Sequence, residues 1–292
     1  VVDCITRNLS DEGQADVAFV PGVGHKPALK AERIELRTGG DAANEAFVLA
    51  TLGKRADLMC VLGSDLAGDI VFSEAVKRGV GTGRITRSET LNTPVADIIV
   101  NPDGSRYSVS SNAAKLAGYI PDPALINGAR ILSLASIFRA PLDDPEVILD
   151  IVKAARSEGM VVCADTKLPT FRKNTLSEME DIFPMVDYIF PNEAEAGYYT
   201  GAEKMDEMAD ILLRMGVKNV VIKAGAQGCF AANASGAFMI PAAPAEVVDT
   251  TGAGDNFVAG FICGILEGND LRECCVRGTE QAAKSLGHTG AV

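Results

Sequence analysis

Strand-like apolar runs alternate with amphipathic, helix-like stretches over most of this chain, and that alternation constrains the fold more than any other feature. Strand-like runs fall at residues 58–62, 130–135, 160–164, 187–190 and 219–223. Between them lie stretches with helical spacing at residues 65–77, 145–157 and 205–215. Such an order predicts βαβ units and a parallel sheet covered by helices on both faces. Gly53, Gly79, Gly159 and Gly216 each follow a helical stretch, where a left-handed C-cap is wanted. The fold class expected is α/β, a three-layer αβα sandwich with a mainly parallel sheet.

Two stretches break this rhythm. Residues 9–38 carry Pro21-Gly22 and Gly24, then the alternating run Arg33-Ile34-Glu35-Leu36-Arg37. Residues 93–111 read as a hairpin, with strands at 95–100 and 106–110 around Asn101-Pro102-Asp103-Gly104. Asp-Gly between alternating runs is a strong hairpin signal. Together the two stretches predict one small β-sheet lid beside a core formed by residues 1–8, 39–92 and 112–292. A small exposed sheet offers edges and an apolar face, so a homodimer through the lid is one expectation and a monomer with a self-covering lid the other.

At 292 residues the chain can bury a sizeable core without a metal or disulfide staple. Lys and Arg number 27 against 39 Asp and Glu, a formal net charge of −12. That balance disfavours general nucleic-acid binding and anionic membranes, though not a small anionic substrate held by local dipoles. No apolar run is long enough to span a membrane. The seven cysteines (Cys4, Cys60, Cys163, Cys229, Cys263, Cys274 and Cys275) contain no CxxC, and most sit in apolar runs. Buried free thiols in that pattern suit a reducing, cytoplasmic compartment. With only His25 and His288, a His-rich metal site is excluded. Val1-Val2-Asp3 has neither an initiator Met nor a signal pattern, so the numbering is expected to begin inside the natural protein.

The segment Asp249-Thr250-Thr251-Gly252-Ala253-Gly254-Asp255 carries the most chemistry. It is expected to follow a short strand at 246–248 and to open a helix at Asp255. Its glycines let backbone turn sharply and approach a ligand. The N–H groups of Ala253, Gly254 and Asp255 would converge at the helix N-terminus, a ready anion site. Asp255 beside that hole could take a proton from a hydroxyl attacking a phosphoryl group. The plainer alternative is a Gly-rich turn with Asp255 as an ordinary N-cap. Similar alternatives stand elsewhere. Asn44, after Gly39-Gly40, is a hydroxyl partner or an ordinary helical Asn. Glu195, three residues after Asn192, shares its helix face or is a solvated first-turn carboxylate. Asp3 is a buried acceptor or a strand-end charge. Lys167 is a point charge for a phosphate or a solvated loop lysine, and Arg106 projects into the site or into water.

DTTGAGD resembles the hallmark of the ribokinase-like, pfkB-type carbohydrate kinase family, and further segments match that family in order. Thr38-Gly39-Gly40-Asp41-Ala42-Ala43-Asn44 resembles its Gly-Gly…Asn signature, and Val61–Gly68 its VGxDxxG segment. Asn192-Glu193-Ala194-Glu195 resembles its NxxE motif, Lys223-Ala224-Gly225-Ala226-Gln227-Gly228 its nucleotide loop, and Gly290-Ala291 its late Gly-Ala. The resemblance implies a ribokinase-like sandwich with a lid and an ATP-dependent sugar kinase. Asp255 would be the general base, and Gly252, Ala253 and Gly254 the anion hole. Asp3, Gly39, Gly40 and Asn44 would hold the sugar. Lys223, where a Thr is common, would line the ATP side with Gly225 and Gly228. Asn192 and Glu195 would act on Mg²⁺ through water. Asp249 and Thr251 begin a loop that binds a monovalent cation such as K⁺ in many members. Nucleoside kinases of the same family stack a base on lid aromatics, and the lid here offers only Phe19 and Tyr107. A non-catalytic sugar- or nucleotide-binding protein on the same scaffold is the reading from another class. Family sugar kinases often read Asp-Pro-Asn-x-Arg where this chain has Asp165-Thr166-Lys167-Leu168-Pro169. That departure leaves the acceptor open. No GxxxxGK[ST] or GxSxG occurs, and no early GxGxxG fits a dinucleotide fold.

Overall fold

The computed structural model describes residues 1–10, 30–100, 106–110, 118–170, 172–287 and 290–292. The N-terminal part comprises β1 (Val2–Ser10), β2 (Lys30–Thr38), α1 (Asp41–Thr51), β3 (Asp57–Gly63), α2 (Leu66–Lys77), β4 (Gly81–Ser88), β5 (Val95–Val100) and β6 (Arg106–Ser110). Then follow β7 (Ile131–Ile137), α3 (Pro145–Ser157), β8 (Val161–Thr166), β9 (Tyr188–Phe190), α4 (Glu193–Thr200), α5 (Met205–Arg214), β10 (Asn219–Lys223), β11 (Cys229–Asn233) and β12 (Gly236–Ile240). The helices α6 (Ala253–Glu267) and α7 (Leu271–Ser285) end the chain.

The largest sheet has the order β12-β11-β10-β9-β8-β7. Strands β7 to β10 pair in parallel, and β11 and β12 extend the sheet antiparallel. Successive residues of a strand face opposite sides, and both sides here are apolar. Val162, Ala164, Val220 and Ile222 face a core that includes Ile148, Val152, Met208 and Leu212 of α3 and α5. Their neighbours Cys163 and Val221 face Phe257, Phe261 and Cys275 of α6 and α7. Three layers follow directly from that alternation.

Local signals set the element ends. In α3, Asp144 accepts from the Glu146 N–H, Pro145 takes the first helical turn and Arg156 the last, all favourable to the helix termini. Helices α6 and α7 pack closely because Gly260 and Gly264 leave room for the α7 backbone and for Cys274.

A second sheet has the order β2-β1-β5-β6, and β3 and β4 form a separate parallel pair bridged by α2. The β5–β6 hairpin has the strands its sequence predicts, while its turn at 101–104 lies outside the described residues. The rest of the expected lid, 11–29, also lies outside them. β1 pairs with β5 from Val2 onward, so this sheet includes residues that the sequence reading places in the core.

The strand expected at 246–248 is absent. The N–H groups of Val248 and Asp249 both donate instead to the Leu286 carbonyl at the end of α7, and 246–248 pair with no strand among the described residues. Among the described residues, no helix is long and apolar enough to cross a membrane.

Candidate active site

The site forms where the carboxyl ends of β7, β8 and β10 meet the N-termini of α1 and α6. In an open α/β sheet that crevice is the usual place for a ligand. Asp41, in the first turn of α1, comes from the Gly-Gly segment. Ser136 and Phe138 at the end of β7 adopt φ 72°, a left-handed conformation uncommon for residues with a Cβ. Ser136 there donates its hydroxyl to Asp41. Asp165, Thr166 and Lys167 close β8.

Helix α6 begins at Ala253, two residues before the start its sequence suggests, with Gly252 as its N-cap at φ 71°. A Cβ at Gly252 would lie 2.2 Å from that of Ala291, so the turn demands glycine on both counts. Asp255 is therefore not the cap. It sits inside the first turn, buried, and accepts a 2.7 Å hydrogen bond from Asn44 Nδ2. Ala253 N–H is turned back to the Thr250 carbonyl at 3.3 Å. The N–H groups of Gly254 and Asp255 donate to no acceptor among the described residues. Two of the three expected anion-hole donors thus stay available.

Burial pushes the Asp255 carboxyl up to about 7, with repulsion from Asp41 adding to it. Attraction by Lys167 and the Asn44 hydrogen bond oppose that rise. Lys167 lies 3.6 Å from Asp41. Burial alone would lower its ammonium, but Asp41, Asp165, Asp255 and Glu195 hold it above its ordinary value. Lys167 is thus a charged member of the site rather than a solvated loop lysine.

On the other side of α6, the fully buried Asp165 receives Lys223 Nζ at 2.7 and 2.8 Å. Lys223 Nζ would lie 3.4 Å from a Cβ on Gly254, which sets a cation beside the helix N-terminus. Gly225 and Gly228 flank the single turn after β10, and a Cβ on Gly228 would strike the Ile240 carbonyl. Asn192 and Glu195 cap α4 reciprocally: Glu195 N–H donates to Asn192 Oδ1 and Asn192 N–H to Glu195 Oε2, both at 2.9 Å. Thr166 also donates to Oε2 at 2.9 Å, so Glu195 is buried at the site rather than solvated. Burial raises its carboxyl above the usual range. Oε2 is thus engaged twice. The described residues contain no group of three or more His, Cys, Asp or Glu side chains arranged to ligate a metal.

Gly39 approaches Asp3 so closely that a Cβ would lie 2.1 Å from its carboxylate. Burial raises the Asp3 carboxyl, partly offset by the Val1 amine. Gly40 caps α1 at φ 101°. Asp249 is committed within its own loop: Oδ1 accepts from Thr251 N–H and Oγ1 at 2.9 and 2.7 Å, and Oδ2 from Gly290 N–H at 3.0 Å. Phe19 and the side chains of Arg106 and Tyr107 lie outside the described residues.

Asp41 and Asp165, which lie in the segments compared with the family but have no role there, and Ser136, which no segment contains, belong to the polar network. For Ser136 the signal is position alone, a polar residue near the end of a strand.

The sequence profile described as pfkB family carbohydrate kinase matches residues 16–292. The chain is 30% identical over 256 residues to a cytidine kinase of Thermococcus kodakarensis, covering 85% of this chain and 87% of that one. It is 26% identical over 270 residues to a ribokinase of Haemophilus influenzae, covering 90% and 85%. A crystal structure of a Thermotoga maritima ribokinase superposes with a TM-score of 0.75 at 27% identity, covering 99% of this chain and 91% of that one.

Proposed function

The chain belongs to the pfkB family of carbohydrate kinases and is a phosphotransferase with an alcohol group as acceptor; from that premise we propose that it transfers the γ-phosphoryl group of ATP to a hydroxyl of a sugar. The observation that carries this reading is the buried Asp255 carboxylate, held by Asn44 in the first turn of α6, whose Gly254 and Asp255 N–H groups have no described acceptor.

In this reading Asp255 takes the proton of the acceptor hydroxyl as its oxygen bonds to the γ-phosphorus and the bond to the ADP oxygen breaks. The free N–H groups of α6 and the Lys223 ammonium stabilise charge growing on the phosphoryl oxygens. Gly252 and Ala253 shape that hole. Gly225 and Gly228 let the loop after β10 approach the nucleotide, and Asp3, Gly39, Gly40 and Asn44 hold the acceptor. Asn192 and Glu195 would hold Mg²⁺ through water, and the ion would neutralise phosphate charge. The loop begun by Asp249 and Thr251 would take K⁺ through its backbone, because the Asp249 oxygens are already engaged. Closure of the small sheet over the acceptor would exclude water as a competing acceptor. The seven free cysteines suit a cytoplasmic setting.

The cytidine kinase relative favours a second reading, a nucleoside as acceptor. Coupled ADP release with MgATP across pentoses, hexoses, inositols and nucleosides tests both. One strong acceptor, with turnover lost in Asp255→Asn, supports the mechanism and names the class. Undiminished turnover in that variant removes Asp255 from the role of base.

A further inference from the structure

Of the two lysines in the site, one is committed and the other is not. Lys223 Nζ donates to both oxygens of Asp165, at 2.7 and 2.8 Å. Lys167 Nζ lies 3.6 Å from Asp41 Oδ2, too far for a hydrogen bond, and its N–H groups have no acceptor among the described residues. Asp41 Oδ2 is itself engaged, since Ser136 donates its hydroxyl to it. The Lys167 and Asp41 side chains are 29% and 30% exposed, so the ammonium is neither sealed in the core nor free in water.

The backbone that carries this ammonium is tied on both sides. Lys167 N–H donates to the Ile137 carbonyl at the end of β7 at 3.2 Å, and Tyr199 Oη of α4 donates to the Lys167 carbonyl at 2.7 Å. Arg139 Nε donates to the next carbonyl, that of Leu168, at 2.6 Å. The Tyr199 ring packs on Phe138 with centroids 4.2 Å apart, and Phe138 holds its left-handed φ of 72°. Backbone kept in such a conformation by its surroundings is concentrated where a side chain must be aimed. The root of the side chain is therefore fixed, and only the four-carbon stem can swing. Charge indicates where it swings. Burial opposes the charge on Lys167, but Asp41, Asp165, Asp255 and Glu195 outweigh it. Asp255 stands on the acceptor side of the proposed reaction, and Glu195 and Lys223 on the nucleotide side. A cation near both sides stands beside the path of the transferring group. Those four carboxylates would repel an incoming polyanion, and Lys223 is already offset by Asp165.

Resting on the kinase reading above, we propose that Lys167 is a further catalytic residue: its ammonium rests against Asp41 and, when ATP binds, donates hydrogen bonds to the oxygens of the γ-phosphoryl group. Lys167 moves no proton. The acceptor oxygen bonds to the γ-phosphorus, the proton of that hydroxyl goes to Asp255, and the electron pair of the broken bond leaves on the β-phosphate oxygen of ADP. The ammonium stays charged throughout and offsets the charge on the transferring oxygens through charge-assisted hydrogen bonds. Asp41 keeps the Ser136 hydroxyl as a donor when the ammonium turns away, so its carboxylate is not left bare.

Calorimetric binding tests this without turnover. The β,γ-imido analogue of ATP and ADP, each with Mg²⁺, are titrated into the wild-type chain, Lys167→Met, Asp41→Asn and the double variant. The proposal expects Lys167→Met to weaken the ATP analogue about tenfold or more beyond any loss for ADP, because ADP has no γ-phosphoryl group to contact. Asp41→Asn removes only the competing carboxylate and should leave the preference for the ATP analogue at or above the wild-type level. The double variant removes one charge of each sign, which spares the local balance, and should lose the preference as Lys167→Met does. It carries the test if the single variant fails to fold. A preference unchanged in the double variant would overturn the proposal, as would an equal weakening of both nucleotides in Lys167→Met, the mark of a merely structural charge. So would a loss in Asp41→Asn as large as in Lys167→Met, which would make the ion pair itself the working unit. A wild-type chain that binds neither nucleotide would overturn the kinase reading, and this proposal with it.

Discussion

Asn44 Nδ2 donates to Asp255 Oδ2 at 2.7 Å across 211 positions of sequence, so the first turn of α1 holds the carboxylate in the first turn of α6. A hydrogen bond to the ionised form lowers a carboxyl's pKa and fixes its orientation. The bond thus links two segments assigned separate roles, acceptor binding and proton removal.

The pH dependence follows from Asp255. A general base works deprotonated, so kcat/KM should rise with pH through about 7 and level off above it. Asn44→Leu removes a hydrogen bond to the ionised form, and Lys167→Met removes a nearby cation. Both should move the acid limb to higher pH. A limb that stays in place in both variants would assign the titration to another group. For stability the sign is reversed. The Asp255 pKa is raised from 3.8, so its contribution is full below that value and is lost as pH rises through about 7.

Lys223→Met should be costly to the fold as well as to nucleotide handling. It leaves the fully buried Asp165 without the cation that holds both its oxygens. Breaking a buried pair from one side costs about 3–5 kcal/mol. Chemical denaturation should show that loss, and the double variant Lys223→Met with Asp165→Leu should recover much of it. A loss below about 1 kcal/mol in the single variant would mean the pair is well solvated.

Gly252→Ala should disrupt the anion hole from its base. The residue would need φ near 71°, a strain of about 1–2 kcal/mol, and its Cβ would overlap that of Ala291. We expect a lower Tm and a fall in kcat, with the far side of the sheet unchanged in hydrogen exchange. Normal activity would show that the turn tolerates a side chain.

Leu36 and Val109, both largely exposed, lie on one face of the four-stranded sheet, in the row Leu36–Cys4–Asp97–Val109, with Ile34 in the adjacent row. An apolar face on a small sheet suits self-association. Light scattering at micromolar concentration should find a dimer, and Leu36→Glu should make it a monomer. A monomeric parent chain would remove lid-mediated dimerisation.

Much of the architecture was legible from local physics. The strand β10 (Asn219–Lys223), the helix α3 (Pro145–Ser157) and the β5–β6 hairpin lie where apolar period, capping residues and turn chemistry predict. Each of those signals acts between residues a few positions apart, so a linear sequence contains it whole. The DTTGAGD turn was legible for the same reason, since its glycines answer a local backbone need. The expected strand at 246–248 failed because a strand needs a neighbouring edge, which no local pattern records. Tertiary structure alone decided the electrostatics. Lys167 meets Asp41, Lys223 meets Asp165, and Asn44 meets Asp255 only after α1, β8, β10 and α6 converge. Burial then turns an ordinary aspartate into a group that titrates near neutrality, because the energy of a charge depends on the dielectric and partners around it, and folding supplies both.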